Sequence, residues 1–248
     1  MKGKIFNAQE VQAIIAGTKT MFREVIKNKT NFGDFLQTRE AGDGWYKDRV
    51  ISMRHKRGSW ADYTLENFVE KFCPYQVGQK IFCKEAWGRK ATGSGIAYKA
   101  DNPNQLIYQY QHLPVKWRLP QHMKQEHSRL TLEITDIKVE RLKDISEDDA
   151  IKEGVNKLFT EEEMKHVLRV HQTEKNDTYK NYLWHGHIGR TITKKQSDEW
   201  EYQCSAYEKA KDSFFSLWNA THKKPEKKFE VNPFVWVVDF KINNLGGL

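Results

Sequence analysis

A chain of 248 residues holds one large domain or two small ones, and its 12% aromatic content supplies core material although apolar residues make up only 38%. The formal charge of +8 favours an anionic partner such as nucleic acid, and the polar excess is expected in exposed insertions. No run is long and apolar enough for a membrane helix, and the N-terminus lacks the apolar region of a signal peptide, so a cytoplasmic protein without a membrane partner is expected. Cys73, Cys83 and Cys204 are odd in number and not in a CxxC spacing, so they read as buried thiols in a reducing compartment, with neither a disulfide framework nor a zinc site.

In chain order, Asn7 caps a predicted helix with Glu10 at its third position, and Val11, Ile14 and Ile15 form its apolar stripe. Gly17 ends it. The basic stretch Thr18 to Lys27 follows, and the dipole favours cations at a helix C-terminus, which gives Lys19 and Arg23 a purely structural reason to exist. Residues 28–62 show no sustained period. Within them Arg49, Arg54, His55, Lys56 and Arg57 are interleaved with aromatics between Trp45 and Trp60, which suits either a single-stranded nucleic acid or a solvated hairpin. Leu65, Phe68, Val69 and Phe72 mark an amphipathic helix closed by Cys73-Pro74.

A strand is predicted from Lys80 to Trp87, with Ile81, Cys83 and Glu85 on one face. Glu85 is read as one half of a rim salt bridge, with a functional carboxylate as the alternative. A short strand begins at Ile96. The irregular segment Trp117 to Arg129 mixes basic and aromatic side chains ahead of a core strand, where binding residues tend to lie. Leu130, Leu132 and Ile134 then alternate with polar residues, but Ile137 and Val139 fall in the opposite phase, so a bulge or turn is expected near Asp136. Ser146 caps a short acidic helix ended by Gly154. Thr160 caps a further predicted helix carrying Met164, Val167 and Leu168. His185 and His187 could both ligate a metal, but spacing places no third ligand, and neither a metal nor a cofactor is expected. Ser197 opens a longer predicted helix with Trp200, Cys204, Tyr207, Phe214 and Trp218 as its core stripe. The stretch Val231 to Ile242 is apolar on both faces and is predicted to be a central, closing strand.

Short strands, few helices and a bulged core strand suggest a small mixed β-barrel of the α+β class. Five stretches in order carry a resemblance to a known family: Gly17-Thr18-Lys19-Thr20 after a helix; Cys73-Pro74-Tyr75 with Gly78 and the strand to Trp87; Trp117-Arg118 with His122-Met123 and Ser128-Arg129; the run from Leu130 to Val155; and the tail from Phe214 through Asn219 to Phe240. Together they resemble the phage-type ASCH domain, a PUA-like β-barrel. On that resemblance residues 1–248 form a single domain with insertions at 28–70 and 156–200, flanked by helices. The resemblance implies a cleft that takes RNA or a modified nucleoside. Lys19, Arg23 and Arg118 would meet phosphate, Phe22 and Trp117 would stack on bases, Arg129 would line the surface, and Glu153 would accept from a base amino group. Family members that hydrolyse acetylcytidine use a Lys, a Thr three residues later and a distant Glu, and others cleave RNA. Lys19 and Glu153 match the first and last, whereas Phe22 occupies the nucleophile position and cannot attack. A hydrolase is therefore the alternative to binding, and a phage factor that uses the barrel to bind a host protein is a third reading.

Overall fold

The computed structural model describes residues 1–26, 32–39, 50–55, 58–90, 95–101, 115–157, 184–185, 191–192, 202–203, 206–207 and 209–245. They form a mixed α+β fold with several sheets and four α-helices among the described residues. The main sheet contains β1 (Lys2–Ile5), β2 (Met21–Val25), β6 (Lys80–Lys84), β9 (Leu130–Arg141) and β15 (Phe234–Leu245), in the order β1-β6-β9-β15-β2. Only β1 and β6 run parallel; the other pairs are antiparallel.

β9 and β15 are the spine of this sheet. The expected bulge is present: Asp136 pairs with Asp239 and Ile134 pairs with Phe240, so Thr135 is the extra residue. The bulge changes the phase of the strand, and Leu130, Leu132 and Ile134 on one side of it and Ile137 on the other reach the same core. β15 is apolar on both faces because each face meets a core. Trp236, Val238 and Phe240 join the inner cluster, whereas Val235 and Val237 join an outer one with Met21, Phe214 and Trp218.

Local signals set the helices. α1 (Ala8–Ile15) starts at Asn7 with a complete capping box to Glu10 and is followed by Gly17 at φ 74°. α2 (Leu65–Phe72) is capped by Thr64 and buries Phe68. α3 (Glu147–Lys152) is capped by Ser146, and Gly154 follows at φ 91°. α4 (Ala210–Thr221) covers the outer face of β15 with Phe214 and Trp218. It is shorter than the spacing predicts. Tyr207 is extended and pairs with Trp184, while Ser197, Trp200 and Cys204 lie outside the described residues. Aromatic residues suit strands as well as helices, so their spacing alone could not place the helix start.

The stretch predicted as the first insertion forms an antiparallel sheet of β3 (Phe32–Arg39), β4 (Val50–His55) and β5 (Trp60–Thr64), followed by α2. Ile51, Met53 and Phe68 from this stretch join the inner core, and the Phe68 and Trp236 rings stack with centroids 5.3 Å apart. Arg54 and Trp60 pair across the β4–β5 hairpin and are exposed, while Arg49, Lys56 and Arg57 lie outside the described residues. β7 (Trp87–Arg89) and β8 (Ile96–Tyr98) make a separate hairpin. Two-residue ladders complete the strands: β10 (Asn156–Lys157), β11 (Trp184–His185) and β14 (Ala206–Tyr207) pair together, and β12 (Thr191–Ile192) pairs with β13 (Tyr202–Gln203). The helix predicted from Thr160 lies outside the described residues, as does His187. No described helix is long and apolar enough to cross a membrane.

The sheet curls without closing into a barrel. Its edge strands β1 and β2 have no ladder between them. Side chains bridge this seam instead: Lys4 Nζ lies 2.7 Å from Glu24 Oε2, and the rings of Phe6 and Phe22 meet edge to face at 6.0 Å.

Candidate functional site

Beside the seam, the segment after α1 meets the end of α3. Thr20 donates its backbone N–H to Lys152, and Lys19 and Glu153 form an antiparallel bridge. Residues directly opposite in such a bridge project to the same side, which brings two side chains 134 positions apart into contact. Lys19 Nζ donates to the Glu153 backbone oxygen at 2.7 Å and to Glu153 Oε2 at 2.9 Å. The turn depends on Gly154, because a Cβ there would meet the Lys19 Cβ at 3.2 Å on a backbone that L-residues rarely adopt.

Arg23 is on the same face of the chain as Lys19. Its Nη1 donates to Glu153 Oε1 at 3.1 Å, and its Nη2 reaches Glu140 and Asp149 at 3.3 Å each. Lys19, Arg23 and Glu153 are 3%, 5% and 6% exposed, so one carboxylate joins two cations away from bulk water. Arg23 sits within β2, well beyond α1, so the helix-dipole explanation does not apply to it. With three carboxylates around it, the guanidinium is also committed, and the expectation that it meets phosphate is corrected. Its Nε is buried with no hydrogen-bond partner among the described residues.

Phe22 points the other way. Strand alternation sends it into the inner core, 3% exposed, against Phe6, Tyr75 and Phe240. Lys4 Nζ stands 4.5 Å from its ring centroid. Phe22 is among the residues that line the cavity beside Lys19 and Glu153, but its ring is packed on these neighbours, so a packing role replaces the expected stacking role.

Trp117, Arg118 and Arg129 belong elsewhere. Arg118 forms a bridge with Trp87 and places its guanidinium 5.0 Å from that ring, and Trp117 beside it is half-buried. Arg129 grips Glu85 through Nε at 2.9 Å and Nη2 at 3.0 Å, and holds Asp101 through Nη1 at 2.6 Å. Glu85 is 1% exposed, so this is a buried fork and not the rim salt bridge expected. Burial raises the Glu85 carboxyl, against the pull of Arg129. None of these three basic and aromatic residues lines the cavity that holds Lys19 and Glu153.

That cavity encloses about 270 Å³, just below the range of about 300–1,000 Å³ typical of ligand pockets. It contains polar groups that the sequence did not single out. Glu10 completes the α1 capping box through Oε2 and places Oε1 3.6 Å from Lys19 Nζ. That distance is too long for a hydrogen bond, so one of the three ammonium protons stays available to a ligand. His222 lines the same cavity and stacks on Trp218 with ring centroids 3.9 Å apart and planes at 12°. Burial lowers its pKa, opposed by a contact to the Trp218 carbonyl and reinforced by Lys227 and Lys4, so the ring is neutral at pH 7. Nδ1 lies 3.1 Å from both the Trp218 carbonyl, which can only accept, and the Thr221 hydroxyl; in the tautomer that donates from Nδ1 to the carbonyl, Nε2 is an acceptor. The four-residue spacing from Trp218 to His222 was the available signal for this ring pair. Among the described lining residues Thr221 carries the one hydroxyl, which is engaged with the Leu217 and Trp218 carbonyls and lies 3.1 Å from His222 Nδ1.

Compared with protein-family models, curated proteins and solved structures, the chain matches none. The site is therefore described by its own chemistry. It offers a cation with a spare proton, a carboxylate with free lone pairs, a neutral imidazole acceptor and an apolar wall that includes Ile5 and Leu217.

Proposed function

We propose that the chain is a PUA-like, ASCH-type domain that binds RNA or a modified nucleoside in the cavity beside the β1–β2 seam. The contact between Lys19 and Glu153 carries this reading. These two residues correspond to the Lys and Glu of the family's cleft, and they meet at 2.9 Å on the wall of a cavity of about nucleoside size. Lys19 donates to a base or ribose oxygen. Glu153 retains lone pairs after serving Lys19 and Arg23, and accepts from a base amino group. The stacking role moves from Phe22 to His222, whose ring is backed by Trp218.

Hydrolysis of acetylcytidine or of the RNA backbone is the second reading. It is favoured by one observation: Glu10 and the His222 acceptor line the same cavity as Lys19, so a water bound there has candidate bases. The buried Phe22 gives that reaction no protein nucleophile. Calorimetric titration with acetylcytidine and with single-stranded RNA, followed by mass spectrometry of the same samples, separates the two. Binding without product, abolished by Lys19→Met, supports recognition. Product formation that requires Lys19 or Glu153 establishes the hydrolase, and failure of both ligands to bind at low salt refutes the assignment of the cavity.

A further inference from the structure

The seam between β1 and β2 leaves main-chain groups without partners. Phe6 donates its N–H to the Lys84 carbonyl, so the parallel ladder to β6 uses the alternate residues Lys2, Lys4 and Phe6 and turns Gly3 and Ile5 away from it. Ile26 likewise donates to the Phe234 carbonyl, so the ladder to β15 uses Phe22, Glu24 and Ile26 and turns Arg23 and Val25 outward. The backbone N–H and C=O groups of Gly3, Ile5, Arg23 and Val25 bond no described residue, and all four residues line one groove of about 600 Å³.

The Lys4–Glu24 ion pair and the Phe6–Phe22 ring contact share one antiparallel stagger, which sets Gly3 across from Val25 and Ile5 across from Arg23. Two rows of main-chain donors and acceptors therefore face the same groove. A nucleic acid does not match them, because its phosphates only accept and would leave the carbonyls unpaired. An extended peptide carries both an N–H and a C=O at the repeat of the two edges. Beside the rows, exposed Ile5 and half-buried Phe72 offer apolar surface, and Lys227 adds a cation with no ion pair among the described residues.

We propose that the seam docks an extended peptide segment of a partner protein as an added strand. Its main chain bonds β1 on one side and β2 on the other, its apolar side chains meet Ile5 and Phe72, and a carboxylate lies near Lys227. This docking is independent of the nucleoside reading of the smaller cavity, and either can fail without the other.

Amide hydrogen exchange of the full chain, followed by NMR, tests it with a capped nine-residue peptide of alternating valine and threonine with glutamate at its centre. Excess peptide slows exchange at the amides of Gly3, Ile5, Arg23 and Val25 at least about tenfold. Methylating the peptide nitrogens at alternate positions weakens binding at least about tenfold, because the donors to one edge are lost. Lys227→Ala weakens the glutamate peptide about two- to fivefold and leaves its glutamine analogue unchanged. Absence of slowing, or affinity retained after methylation, overturns the proposal. So do four amides already as slow in the free protein as those of Phe22 and Glu24, which would mean that the seam is closed. Equal slowing by a nine-nucleotide single-stranded RNA overturns the choice of a peptide, and slowing that grows with protein concentration alone assigns the seam to a second copy instead.

Discussion

Removing the Glu153 carboxylate strands a buried charge, and the surroundings indicate which one. Arg23 keeps Glu140 and Asp149 at 3.3 Å each, whereas Lys19 is left with the backbone oxygen of residue 153 and with Glu10 at 3.6 Å. The uncompensated charge after Glu153→Leu is thus mainly that of Lys19. Breaking a buried pair in this way costs about 3–5 kcal/mol. For a chain of 248 residues that corresponds to a fall in Tm of about 6–20 °C, at about 2–4 °C per kcal/mol. Lys19→Met is milder, at about 1–3 kcal/mol, since Glu153 keeps Arg23 at 3.1 Å. The double replacement removes the stranded ammonium together with its partner, so its loss falls short of the sum of the single losses by about 1–3 kcal/mol. Urea denaturation of the four proteins, with m-values compared, measures this coupling. Single losses that add to within about 0.5 kcal/mol would refute the reasoning, because the two side chains would not share an environment.

Three other outcomes follow from the geometry. Phe22→Ala opens a hole among Phe6, Tyr75 and Phe240 and costs about 3–5 kcal/mol in denaturant unfolding; a loss below about 1 kcal/mol would mean that the ring is not core. Arg129→Met leaves Glu85 buried beside no cation and costs about 3–5 kcal/mol, while nucleoside affinity of the folded protein, measured by calorimetry, is retained because Arg129 lies outside the cavity. His222 titrates below its ordinary value of 6.5, so the folded protein binds fewer protons than the unfolded chain below that pH. Its contribution to stability is complete above pH 6.5 and is lost as pH falls through the folded value. His222→Gln should therefore flatten the acid side of a plot of Tm against pH, and an imidazole NMR titration midpoint at or above 6.5 would contradict the assignment.

Much of the local structure is written in residue order. The N-caps and glycine stops of α1 and α3, the apolar character of β15 and the phase shift that demands a bulge in β9 all depend on neighbours a few positions apart. Lys19 and Glu153 could be singled out too, although only through a resemblance and not through any local pattern. What the chain order could not reveal is which side of a backbone each side chain takes once distant segments meet. Alternation along β2 turns the Phe22 ring to the opposite side from Arg23, and so makes an expected stacking ring part of the core. A buried fork to Glu85 takes Arg129 out of the ligand site. Conversely, Glu10 and His222 carry local explanations, one as a helix cap and one as a helix end, and only the curl of the main sheet brings them to the same cavity. The seam between β1 and β2 is decided last of all, because an edge strand does not encode what faces it. That depends on how far the sheet curls, which the packing of both cores against β15 determines.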